Sequence, residues 1–151
     1  MGAVLTGTVL TGVNLHHAKL TGADLTGALL DDAKLTGADL TGADLTNARL
    51  TGANLTKADL TGANLTGARL HATEITDARL VDADLTGALL TNVDLTGANL
   101  TRADLTGADL TRANLTNAFL PPDAVVPEGW QRDADSGRLK RADTRPGEAG
   151  D

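Results

Sequence analysis

The sequence predicts an all-β fold, a β-solenoid in which one small unit stacks on itself. Three observations predict it. Leucine stands at every fifth position from Leu5 to Leu120, and Ile75 is the one replacement among those twenty-four places. Two residues earlier the chain is Ala in twenty units, the exceptions being Thr8, Val13, Thr73 and Val93. One residue later it is Thr in nineteen, followed by Gly or another small or polar residue. Self-similarity at a short fixed period, held over about four-fifths of the chain, marks a repeat architecture.

Each place in the unit has a physical reason. Residues two apart in an extended segment point the same way, so Ala and Leu face inward together. The residue between them, such as Asp24, Asp39 or Asn54, faces out. From Leu to the next Ala is three steps, which in a straight strand would put that Ala on the wrong face. The chain must therefore bend within the Thr-Gly pair, where Gly tolerates unusual backbone angles. A helix fails on the same spacing, because five residues turn it by about 500° and Leu would drift around its surface. The frequent Gly and Thr disfavour a helix further. A period of five also separates this chain from the hexapeptide-repeat β-helix.

The units Ala23-Asp24-Leu25-Thr26-Gly27 and Ala63-Asn64-Leu65-Thr66-Gly67 resemble the pentapeptide repeat family, whose pattern is A-(D/N)-L-x-x. The resemblance covers residues 3 to about 122. It implies a right-handed quadrilateral parallel β-helix with one pentapeptide per side, hence twenty residues per coil and about six coils with a C-terminal capping tail. At a strand spacing of about 4.8 Å such a stack is about 29 Å tall. Some members of the family resemble duplex DNA in shape and charge and bind DNA gyrase or topoisomerase, inhibiting it or protecting it from inhibitors. Several gyrase-protecting members have a loop interrupting the repeats, and this array has none.

The array spans residues 1–120. Pro121-Pro122 end it, since neither can donate to a strand ladder. Trp130-Gln131-Arg132 and Arg138-Leu139-Lys140 flank the turn-rich run Asp133 to Gly137, which predicts a hairpin within a cap over residues 121–141. Val125, Val126, Trp130 and Leu139 are expected to lie over the last coil, whose open edge would otherwise invite aggregation. Residues 142–151, charged and containing Gly and Pro, read as a disordered tail. At the other end, Val4 and Val9 hold outward places that are usually polar, so the first coil is a candidate contact with a second copy in a homodimer.

The residue types exclude much chemistry. There is no cysteine, hence no disulfide and no thiolate metal site. No apolar run is long enough to span a membrane and no secretory signal is present, so the expectation is a cytoplasmic protein without a membrane partner. His16, His17 and His71 lack metal-ligand spacing, the first two as neighbours that should point in different directions. Ser136 is the only serine and sits in the tail. Repeated solvated Asp side chains do not offer the unlike environments that an acid–base pair needs. The expectation is no enzyme and no cofactor. Arg132, Arg138, Lys140 and Arg141 alternate with Asp133, Asp135 and Asp143, a mixture that argues against nucleic-acid binding.

With twenty residues per coil, the outward side chains sort into four walls. The wall of Leu5, Leu25, Leu45, Leu65, Leu85 and Leu105 carries Asp24, Asp44, Asp84 and Asp104 and no Lys or Arg. The Leu10 wall has three acids and three bases, the Leu15 wall three and two, and the Leu20 wall three of each. Stacked Asp residues repel one another, which does not help stability. The acidic wall is therefore a candidate seat for a basic protein partner. The function expected is that of a protein–protein interaction module or scaffold; the alternative is a DNA mimic acting on gyrase. Duplex DNA carries one charge per about 1.7 Å, or about 17 over the height of the array. The array sets 13 acids against 8 bases.

Overall fold

The computed structural model describes residues 2–142. Backbone bridges join each outward residue to the one twenty places later, always in parallel, from Val4 with Asp24 to Asn99 with Phe119. A twenty-residue coil of four five-residue units follows, and the twenty-four units make six coils.

The unit of residues 43–47 shows why the repeat reads as it does, because all five of its amides are accounted for. Ala43 N donates to Leu40 O (3.0 Å) and closes the corner. Asp44 N reaches back to Ala23 O in the coil before (2.9 Å), and Leu45 N reaches forward to Asn64 O in the coil after (2.7 Å). Asn47 N also reaches forward, to Thr66 O (2.9 Å). That leaves Thr46 N, which the Asp44 side chain takes through Oδ1 (3.0 Å). The outward Asp or Asn thus supplies the one acceptor that the ladder does not.

The corner is a β-turn with its third residue left-handed. This is the conformation of a type II turn, which Gly adopts without steric cost. Gly27 has φ +63°. The same conformation holds at the corners that lack Gly, including Asn47 (φ 57°), Lys57 (φ 57°), Ala72 (φ 53°) and Arg102 (φ 58°). The fold imposes it everywhere, and the sequence satisfies it with Gly where it can.

The core is a column of Leu over a column of Ala, both buried from Leu20 to Leu100. Thr73 is also buried and donates its hydroxyl to Leu50 O (2.7 Å), so its polarity is satisfied in an aliphatic interior. Packing loosens at both ends, where Leu5, Leu10, Leu15, Leu105 and Leu110 are only partly buried.

Beyond the array, β1 (Trp130–Arg132) and β2 (Leu139–Arg141) pair antiparallel, with Arg132 opposite Leu139. The hairpin docks on the last coil: Leu139 N donates to Ala118 O (2.9 Å) and Leu139 O accepts from Asn117 N (2.8 Å). Leu139 and Trp130 are buried and Val126 packs partly against the core. Val125 departs from the sequence expectation. It is 90 % exposed, because the segment after Pro121-Pro122 runs outside the coil and turns Val126 inward instead. Of the expected tail, all but Ala142 lies outside the described residues.

Candidate functional site

The acidic wall is built by the register. Bridges run Asp24 to Asp44, Asp44 to Asn64, Asn64 to Asp84 and Asp84 to Asp104, so the four acids form one column with Asn64 among them. Each is tied to its own corner. Thr26 N donates to Asp24 Oδ1 (3.0 Å), Thr86 N to Asp84 Oδ1 (2.9 Å) and Thr106 N to Asp104 Oδ1 (2.9 Å). Thr6 of the coil before adds a hydroxyl to Asp24 Oδ2 (2.8 Å).

These donors set the charge state. The Thr26 amide holds the Asp24 carboxyl below its usual range, with the Thr26 and Thr6 hydroxyls adding to it. The Thr86 hydroxyl and then its amide do the same for Asp84, and those of Thr106 for Asp104. Repulsion between neighbours, expected from the sequence to count against the stack, is real but subordinate: Asp84 raises Asp104, and it is the weakest of the influences there. Hydrogen bonding to the charged form outweighs a like charge one coil away across solvent. Asp24, Asp84 and Asp104 are thus ionised at neutral pH.

Two of the other three walls carry ion pairs among the described residues; the Leu15 wall, with Lys34 and Lys57, carries none. Arg49 pairs with Asp31 (2.7 Å), Arg79 with Asp59 (3.8 Å) and Arg102 with Asp82 (2.6 Å). Among the described residues no ion pair falls on the acidic wall. Its corners are low along most of its length. On one side they are Gly apart from Asn47; on the other Gly22, Gly42 and Gly62 give way to Asp82 and Arg102, whose ion pair stands at the edge beside Asp84 and Asp104.

Val4 and Val9, the candidate end contact, are 74 % and 72 % exposed on adjacent walls. Val9 is bridged to Leu29, and Val4 to Asp24 at the foot of the acidic column. His16 and His17 do not point apart. Their rings meet edge to face with centroids 4.1 Å apart, and His17 Nδ1 lies 3.4 Å from Gly37 O. Among the described residues no three or more ligating side chains converge as a metal site would require, and no helix is long and apolar enough to cross a membrane.

The structure also gives work to residues the sequence shows only as charge. Arg132 extends its guanidinium to Leu120 O (3.1 Å), Pro121 O and Ala124 O (3.4 Å), holding the turn out of the array. Arg138 stacks on Phe119 and Arg141 on Trp130, each 4.2 Å from the ring centroid. The bases of the tail are spent on the cap. An aromatic within a basic, turn-rich segment was the available sign of these stacks.

The family description "Pentapeptide repeats" matches in 8 copies, over residues 1–27, 28–67 and 78–117. The chain belongs to the pentapeptide repeat family. Its fold is the family's right-handed quadrilateral β-helix. Among solved structures, a pentapeptide repeat protein (Rfr23) from the cyanobacterium Cyanothece 51142 is 30 % identical with a TM-score of 0.58, the match covering 74 % of this chain and 86 % of that one. HetL, a pentapeptide repeat protein involved in heterocyst differentiation regulation in the cyanobacterium Nostoc sp. strain PCC 7120, is 38 % identical over 83 % of this chain, with a TM-score of 0.41. The chain spans 63 % of HetL's length. A trypsin-treated QnrB1 variant, a plasmid-mediated fluoroquinolone resistance protein, is 17 % identical with a TM-score of 0.50, covering 79 % of this chain and 80 % of that one, and shares the fold alone. No curated protein matches the chain.

Proposed function

We propose that this pentapeptide repeat protein is a non-catalytic interaction module of the cytoplasm, and that its Asp24–Asp104 wall meets a basic surface of a protein partner. One observation carries the reading. This wall sets four acids in line with no base among them, three of them held in the charged form by their own corners, while Arg49, Arg79 and Arg102 elsewhere sit against acids. A rigid row of charges at fixed spacing recognises a partner without moving parts and steers its approach.

A row of fixed negative charge also supports a second reading, in which DNA gyrase or topoisomerase is the partner and the wall stands in for a phosphate strand. Its charge is sparse for that role, with four acids against about 9 phosphate charges on one strand over the same height, at one per about 3.4 Å. The exposure of Val4 and Val9 supports a homodimer contact at the first coil within the same proposal.

The test exploits Asn64, which keeps its corner closed by taking Thr66 N on Oδ1 (3.0 Å). Asp→Asn at positions 24, 44, 84 and 104 should therefore remove charge and leave the fold. A control variant with Asp39, Asp59, Asp77 and Asp94 changed to Asn has the same net charge. Partners captured by cross-linking should be lost with the first variant and kept with the second; equal loss from both would reject the wall. A supercoiling assay with purified gyrase, with and without a fluoroquinolone, decides the second reading. No inhibition and no protection at micromolar protein removes gyrase.

A further inference from the structure

Among the described residues the cap covers only half of the last coil. Over the Leu115 and Leu120 units the hairpin closes the core. Over the Leu105 and Leu110 units it does not, and Leu105, Ala108 and Leu110 stay partly exposed. The ladder stops there too. One coil earlier, Leu85 N donates to Asp104 O (2.8 Å), Gly87 N to Thr106 O (2.9 Å) and Leu90 N to Asp109 O (2.8 Å). Among the described residues the equivalent amides of Leu105, Gly107 and Leu110 have no acceptor, and the carbonyls of Ala103 and Ala108 have no donor. Between this edge and the segment from Pro121 to Trp130 runs a groove of about 1030 Å³.

We propose that the groove takes an extended, basic, aliphatic segment of a protein partner, added as a strand to the free edge. Three features specify it. The unpaired amides and carbonyls call for an extended backbone, since a helix satisfies its own. The floor is the top of the Leu and Ala columns, so aliphatic side chains five residues apart would continue the core where a seventh coil would lie. Asp104, Asp109, Asp123 and Glu128 line the groove against Arg112 and Arg141, and Arg141 already lies over Trp130. That excess of acid suits Lys or Arg at the outward places of the segment and repels a second copy of the same face. The chain itself shows that this edge accepts a strand from outside the repeat. Leu139 takes Ala118 O on the neighbouring side, standing twenty residues after Phe119 as another coil would.

The groove is separate from the acidic wall except at Asp104, so the experiment leaves that residue alone. The probe is a fluorescent synthetic peptide, Ala-Lys-Leu-Thr-Gly-Ala-Lys-Leu, which puts Leu over the two columns and Lys over Asp104 and Asp109. Saturable binding by anisotropy is expected. It should weaken tenfold or more when both Leu of the peptide become Asp, and when its two Lys amides, the donors to Ala103 and Ala108, are N-methylated. Asp109→Lys in the protein should weaken it similarly, whereas Asp→Asn at positions 24, 44 and 84 should leave it unchanged, which separates this site from the wall. No binding at about 1 mM peptide, a free energy of about −4 kcal/mol, overturns the proposal. Binding indifferent to N-methylation overturns it too, and so does a dimer in sedimentation velocity that Leu110→Glu dissociates.

Discussion

The outward Asp of a unit holds the amide two residues on, and the price of that bond is sensitivity to acid. The Asp24, Asp84 and Asp104 carboxyls are all held below their ordinary value of 3.8, chiefly by the amide of Thr26 and the hydroxyls of Thr86 and Thr106. The folded state therefore binds fewer protons than the unfolded chain in this range, so stability falls as pH falls. The contribution is complete above pH 3.8 and is lost as pH drops through the folded values. Thermal melts between pH 6 and pH 2.5 should show Tm falling below about pH 4. Thr→Val at positions 26, 86 and 106, which removes the hydroxyls and keeps the amides, should make that fall shallower; an identical acid limb would assign it to other groups. A second residue-scale strain lies at the corners. Asn and Asp tolerate the left-handed region better than other side chains with a Cβ, but Ala72 has no polar group to bond locally and still sits at φ 53°. Ala72→Gly is expected to raise stability by about 1 kcal/mol, the relief of the Cβ clash less the extra freedom gained by the unfolded chain. A urea midpoint unchanged or lower would show that this corner carries no strain.

At the scale of elements, the array and the cap were legible to very different degrees. In the array the same local choices recur from unit to unit, so the repeat states which residues face inward; the twenty-residue register came from the resemblance to the family, and the bridge of Asp24 to Asp44 bears it out. The left-handed corners at Lys57 and Arg102 were not legible, because a residue with a Cβ gives no sign that its neighbours force its backbone. The cap occurs once, and nothing averages its ambiguities. Val125 and Val126 are chemically equal, and only the path after Pro122 decides which turns inward. Arg132 reads as surface charge, yet its guanidinium serves the carbonyls of Leu120 and Ala124, which no backbone amide meets among the described residues, and that of Pro121, which also accepts from Ala124 N (3.1 Å). Arg132→Met keeps much of the side chain's length and removes the donors. Leaving partly buried carbonyls unmet costs about 1–3 kcal/mol. The variant should lower the urea midpoint accordingly, and Arg132→Lys should recover only part of it, because an ammonium cannot match the planar fork. Full recovery by Lys would mean that charge alone matters there.

For the whole molecule, stability is passed from coil to coil. Each middle coil is bonded on both faces, the first on one, and the last on one face and, through the hairpin, on part of the other, so a stack of this kind opens from its ends. The ends are not equivalent. The first coil donates its Leu5 and Leu10 amides to Asp24 O and Leu29 O (both 2.7 Å), whereas among the described residues the Leu105 and Leu110 amides of the last coil have no acceptor. Amide exchange followed by NMR should therefore divide the molecule sharply across one coil spacing. Leu85 and Leu90, bonded to Asp104 O and Asp109 O, should exchange slowly; Leu105 and Leu110, one coil later in the same columns, should exchange close to the rate of an open chain. Asn117, held by Leu139 O, should be slow although it lies nearer the end of the array. Slow exchange at Leu105 and Leu110 would mean that the edge is already covered in solution, and the half-open last coil would have to be abandoned along with the strand seat it provides.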